Sequence, residues 1–218
     1  MNRTNLLECL GLILLVAAAT AWFWPELPAR VPVHWNLAGQ ADGYGPRAFA
    51  WLTGPGLMAA VLALGVALPW LSPRRFDVRR FSATYAYLIT VVVTTLGFIQ
   101  LATLAAITTG QLSMARVVPA AVCVLLMLIG SPMGKVRRNF FIGVRTPWTL
   151  ASERVWYATH RFAGWSMVGG GLLGLLAVLA GAPHWLALAP ILVCSLAPVP
   201  YSLFFYKHLE RLHQLEPE

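Results

Sequence analysis

Residues 85–107 read YAYLITVVVTTLGFIQLATLAAI, a run without a single Asp, Glu, Lys, Arg or His. A helix needs about 20 apolar residues to span a bilayer core, and this stretch exceeds that without interruption. Five further segments of the same kind flank it. Leu6–Trp24 follows Arg3, carries Glu8 near its start and closes on Trp22-Phe23-Trp24-Pro25, an aromatic interface anchor followed by a helix stop. Ala17-Ala18-Ala19 resembles a signal-peptide cleavage site, but the apolar run continues to Trp24, which favours a retained helix. Phe49–Leu71 holds Pro55 and Pro69, and Ser113–Gly130 carries Arg116 in its first turn. Phe162–Leu179 repeats Ser166, Gly170 and Gly174 at every fourth position, a small-residue face suited to close helix packing. Trp185–Tyr206 contains Pro190, Pro198 and Pro200 and is expected to kink.

Composition agrees with this reading. Of the 218 residues 58% are hydrophobic and 11% charged, against roughly 25% charged in a soluble domain. Such a chain cannot cover a water-facing surface, and nine Trp and ten Phe exclude disorder. The expected fold class is an all-α integral membrane protein, a bundle of six transmembrane helices with one ordered extracytoplasmic loop and one basic cytoplasmic loop. A two-span unit (1–80) would precede a four-span unit (81–218). Cys9, Cys123 and Cys194 each lie in an apolar run without CxxC spacing and read as small buried hydrophobes.

The net charge of +8 belongs to topology and not to nucleic acid, because Lys and Arg cluster in short segments between the apolar runs. Segment 72–80 holds Arg74, Arg75, Arg79 and Arg80 against Asp77, and segment 131–161 holds Lys135 and five Arg against Glu153. The alternate loops, 25–48, 108–112 and 181–184, contain only Arg30 and Arg47. The positive-inside rule therefore places both termini and the two basic loops in the cytoplasm.

No ionisable residue occurs deep in any span, whereas ion-coupled transporters and intramembrane hydrolases usually need them there. Glu8, about one turn from its helix end, reads as an interface residue. Chemistry is thus sought in two loops. In the outer one, Val31–Trp35 has strand-like residues, and Asn36, Gly39, Asp42-Gly43 and Gly45 supply turns. Zinc takes three or four protein ligands and only His34 and Asp42 offer themselves, so no metal or other cofactor is expected. Catalysis by that pair lacks a nucleophile and a third orienting group. An aromatic cap on the bundle and recognition of a peptide or lipid through Trp35, Tyr44 and Arg47 both stay open. The expected ligand-contacting set is His34, Trp35, Asn36, Asp42, Tyr44 and Arg47.

The inner loop runs from Gly134 to Arg161. Thr149 is a plausible N-cap, with Glu153 in the first turn of a helix. With Trp156 and Tyr157 beside Arg154 and Arg161, that helix is expected to lie on the membrane surface before the fifth span. Anchoring to anionic headgroups and docking of a soluble partner remain alternatives for Arg137, Arg138, Arg145, Trp148, Arg154 and Arg161.

The two loops carry a family resemblance. His34-Trp35-Asn36, Gly39 and Asp42-Gly43-Tyr44-Gly45 resemble the N-terminal domain of unknown function of SdpI-family bacterial membrane proteins. Asn139-Phe140-Phe141-Ile142-Gly143-Val144-Arg145-Thr146-Pro147-Trp148-Thr149-Leu150, with Ser152-Glu153 and the Trp156…His160-Arg161 run, resembles that family's second signature. The resemblance implies a non-enzymatic protein of the bacterial inner membrane that protects against a secreted toxic peptide. It also implies that a cytoplasmic repressor can be held at the membrane. It assigns no catalytic residue. A small-molecule or lipid transporter and a membrane-bound hydrolase using His34 are the rival readings.

Overall fold

The computed structural model describes residues 1, 3–36, 40–73 and 76–215, with His184 described by its backbone alone; Gly39, Arg74 and Arg75 of the motifs above lie outside the described residues. In chain order the elements are α1 (Arg3–Phe23), a 3-10 turn (Trp24–Glu26), β1 (Arg30–Trp35), β2 (Ala41–Pro46), α2 (Phe49–Trp51), a π-helical turn (Leu52–Gly56), α3 (Leu57–Leu71), a 3-10 turn (Val78–Phe81), α4 (Ser82–Thr109), α5 (Met114–Gly130), a 3-10 turn (Met133–Lys135), α6 (Pro147–Ala151), α7 (Glu153–Leu179), α8 (His184–Leu196) and α9 (Pro198–Arg211). Among the described residues six helical stretches are long and apolar enough to cross a membrane, beginning at Arg3, Phe49, Val78, Met114, Glu153 and Trp185. The six-span reading therefore holds. The first span starts three residues earlier than expected, with Glu8 exposed on its flank.

Proline shapes two of the spans. Pro55 lacks an N–H, and the helix widens to a π turn around it. Buried Gln100 of α4 donates to the Ala50 carbonyl beside that turn (3.0 Å), satisfying an acceptor that lipid could not. The sixth span breaks at Ala197, between α8 and α9, as its prolines require.

Helix α7 is the hub of the C-terminal part and packs against α5, α8 and α9, while α4 packs against α1, α3 and α5. The small-residue face makes this possible. A Cβ on Gly170 would lie 2.8 Å from the Pro190 carbonyl oxygen, and one on Gly174 2.8 Å from that of Ala187. Ser166 on the same face donates to the Cys194 carbonyl (2.6 Å). A second face meets α5: a Cβ on Gly171 would lie 2.7 Å from the Cys123 oxygen, and one on Gly164 2.8 Å from that of Gly130.

The stretch expected to lie along the membrane surface is instead the beginning of α7. Ser152 caps it, accepting from the Val155 N–H (3.2 Å). Trp156 is fully buried among Val78, Phe81, Tyr85, Met133 and Val136, and its indole N–H donates to the Val136 carbonyl (2.7 Å). The alternation of aromatic and basic residues is that of a helix with one face inside and one outside: Trp156 and His160 are buried, Arg154 and Arg161 exposed. Thr149 is likewise not an N-cap. It is the third residue of α6, in a reciprocal capping box with Thr146, which is the cap.

Gly170→Leu should force α8 away from α7 and lower the detergent-solubilised Tm sharply or abolish folding. Gly169→Ala, whose added Cβ meets nothing within 4 Å, should leave Tm within about 2 °C by the usual scale for open sites. Thermal melts of the purified protein compare the two.

Candidate functional site

At one end of the bundle, β1 and β2 form an antiparallel hairpin with Pro32 opposite Tyr44, His34 opposite Gly43 and Trp35 opposite Ala41, interrupted by irregularities on either side of His34. Val31–Trp35 has the strand character its residues imply, whereas Asp42-Gly43 and Gly45, turn residues by composition, belong to the second strand. Glycine is needed there for space: a Cβ on Gly43 would lie 2.8 Å from that of His34, and one on Gly45 would touch the Phe49 ring at 3.0 Å.

His34 Nδ1 lies 2.5 Å from an Asp42 carboxylate oxygen, with both side chains well exposed. Exposed pairs of this kind add little stability, so the contact orients the imidazole more than it holds the hairpin. The Asn36 amide oxygen accepts from the Gln40 N–H (3.0 Å), closing the far end. Arg47 works at the base, its guanidinium 4.6 Å above the Trp24 ring and donating to the Trp24 carbonyl (3.4 Å). Among the described residues no group of three or more His, Cys, Asp or Glu side chains could hold a metal.

Between the hairpin and the helices lies a cavity of about 330 Å³. His34, Trp35 and Asn36 form its hairpin wall, and Val118 and Pro119 of α5 with Leu188 of α8 form its apolar wall. The structure thus brings three of the six expected residues to one cavity and ties Asp42 to it through His34. Tyr44 is exposed elsewhere on the hairpin, and Arg47 braces its base.

At the other end, residues 136–160 fold around buried polar groups. Asn139 is fully buried and uses its whole amide: Nδ2 donates to the carbonyls of Arg137 (2.8 Å) and Ile142 (3.1 Å), and Oδ1 accepts from the N–H groups of Phe141 (2.8 Å) and Ile142 (2.7 Å). His160 is also fully buried and stacks on Trp156 with centroids 4.0 Å apart. Its Nδ1–H donates to the Trp156 carbonyl (2.8 Å), and Nε2 accepts from the Val144 N–H (3.1 Å). That pair of bonds requires the neutral ring with its proton on Nδ1. Gly143 makes room for it: φ is +106°, and a Cβ would fall 2.1 Å from His160 Nε2.

The basic residues divide by role. Arg138 is mostly buried, donating to the Leu150 carbonyl (3.1 Å) and facing Glu153 (3.5 Å) and the Phe76 ring, so it fastens the loop from within. Arg137 donates to the Tyr157 hydroxyl (2.7 Å), Arg145 to the Phe140 carbonyl and Arg154 to the Gln214 carbonyl (2.7 Å), each with an exposed side chain. Arg161 is exposed, and Trp148 is half-buried. In the sequence alone Asn139, Gly143 and His160 stand out only as parts of a motif. The available signal for His160 was its place four residues after Trp156, which puts both on one helix face.

His160→Ala should strand the Val144 N–H and remove the stack, costing about 1–3 kcal/mol and several degrees of Tm, while His34→Ala should shift Tm by about 1 °C or less. Differential scanning of the two variants in one detergent checks the contrast.

Residues 135–202 match the SdpI/YfhL protein family, and residues 11–59 match a domain of unknown function (DUF1648). The chain is 30% identical over 116 residues to the Immunity protein SdpI of Bacillus subtilis (strain 168), a match covering 53% of this chain and 55% of the relative. No solved structure matches. The first matched region begins beside the Asn139 and His160 network and ends at Ser202, whose hydroxyl lies 3.0 Å from that of Thr146. The second spans most of α1, the whole hairpin and the π turn.

Proposed function

From a chain that carries an SdpI/YfhL-family region, we propose a non-enzymatic immunity protein of the bacterial inner membrane that meets a secreted toxic peptide through its hairpin. The observation that carries this reading is the cavity beneath His34, Trp35 and Asn36, in a chain 30% identical over half its length to an immunity protein. An aromatic and polar rim over an apolar wall suits one face of an amphipathic peptide. The Lys and Arg asymmetry puts the hairpin outside and both termini inside. The inner segment, held rigid by Asn139 and His160, then presents Arg137, Arg145, Arg154, Arg161 and Trp148 to anionic headgroups or to a soluble repressor.

Orientation is tested by single cysteines reacting with an impermeant thiol reagent in a background lacking Cys9, Cys123 and Cys194. Gln40→Cys should label in intact cells, and Arg79→Cys and Lys135→Cys only after lysis, all three positions being exposed. The reverse pattern would overturn the topology. Thr149 is fully buried and unsuitable as a reporter.

Function is tested in the native host. Deletion of the chain should sensitise cells to the host's own secreted peptide fraction, and the wild-type chain should restore survival. Trp35→Ala at equal membrane abundance should fail to restore it, since loss of a binding hot spot of about 2 kcal/mol weakens affinity roughly thirtyfold. Undiminished protection by Trp35→Ala would remove the hairpin from the mechanism.

A further inference from the structure

At the basic end of the bundle, a cleft of about 320 Å³ opens between the end of α5 and the face of α7. Ser131 and Gly134 line one side, and Arg161, Trp165 and Val168 the other. We propose that this cleft is a binding site for one anionic phospholipid, with its phosphate on Arg161. The proposal rests on the helices crossing a bilayer and deepens the headgroup contact proposed above for Arg161; it needs neither the toxic peptide nor the repressor.

Side chains along α7 follow the order of a phospholipid's parts. Residues 161, 165 and 168 share one helix face at i, i+4 and i+7. Read toward the middle of the span, that face presents a guanidinium, an indole and an aliphatic side chain. A phospholipid presents phosphate, glycerol-ester and acyl chain in the same order with depth. Trp165 is 80% exposed, which suits an aromatic ring lying at the membrane interface beside a headgroup. Among the described residues Arg161 makes no hydrogen bond or ion pair, unlike Arg137, Arg138, Arg145 and Arg154. Its stem lies against Gly134, where a Cβ would approach Arg161 Cγ to 3.2 Å, and the residue lines the cleft. The Ser131 hydroxyl supplies a second donor, Lys135 follows Gly134 directly, and among the described residues no Asp or Glu lines the cleft. Cation and donor with no opposing carboxylate select an anionic headgroup over a zwitterionic one. Basic sites between helices on the cytoplasmic side of membrane proteins take such headgroups.

The test uses the full chain, delipidated in a neutral detergent, and reads Tm after adding phosphatidylglycerol, phosphatidylcholine of the same acyl chains, or inorganic phosphate. Phosphatidylglycerol at about tenfold excess over its Kd should raise Tm by roughly 3 °C more than phosphatidylcholine, and phosphate alone should do nothing. Arg161→Gln should lose that increment, Arg161→Lys should keep part of it, and Arg211→Gln, an exposed arginine outside the cleft, should keep all of it. If Arg161→Gln does not melt cooperatively, Ser131→Leu, which fills the cleft and leaves the charge, takes its place and should also lose the increment. Equal effects of the two lipids, an equal effect of free phosphate, or a full increment in a folded Arg161→Gln each overturn the proposal.

Discussion

The closeness of α7 to its neighbours is the constraint on which the rest depends. Apolar side chains gain little by leaving lipid for a protein interior, so helices in a bilayer associate through tight packing and hydrogen bonds. Here α7 presents glycine to both sides: Gly164 and Gly171 toward α5, Gly170 and Gly174 toward α8. Each position lets a backbone carbonyl of the partner come to where a side chain would stand. The Ser166 bond to the Cys194 carbonyl fixes the register of the α8 contact and satisfies an acceptor near the proline break.

Both ends of the bundle draw on that helix. Toward one end, α5 and α8 flanking α7 supply the apolar wall that the hairpin covers. Toward the other, α7 runs on beyond the apolar span, and Trp156 and His160 on its inner face become the post around which the chain from Val136 to Thr149 winds. Buried polar groups are costly unless paired. Asn139, Thr149 and His160 are paired to backbone atoms of the segment they organise, which defines one conformation for a stretch almost without regular structure. Exposed Arg137, Arg145 and Arg154 are each tied to this frame by a hydrogen bond.

Much of the architecture was legible in the sequence. The six spans, the proline break in the sixth and the small-residue face of the fifth follow from length, hydropathy and spacing, which act locally along a helix. The hairpin was half legible: Val31–Trp35 has strand residues, but Ala41–Pro46 is rich in glycine for reasons of cross-strand space that only its partner's position reveals. The inner segment was misread where burial mattered. Trp156 beside Arg154 looks interfacial in one dimension, yet the neighbours that bury it come from 78–85 and 133–136, far away in the chain. For the same reason Arg138 looked like its basic neighbours and proved to be an internal fastener.

By itself, then, the sequence determined that this chain crosses a membrane six times and which of its segments carry the excess of positive charge, because both depend on what each segment is made of. Only the tertiary structure decided that Gly143 must be glycine, that His160 is a neutral buried brace, that His34 and Trp35 overlook a cavity, and that Arg161 and Trp165 face a cleft. Each of those facts depends on an atom contributed by a different part of the chain, and hydropathy or spacing along one segment carries no information about which atom that will be.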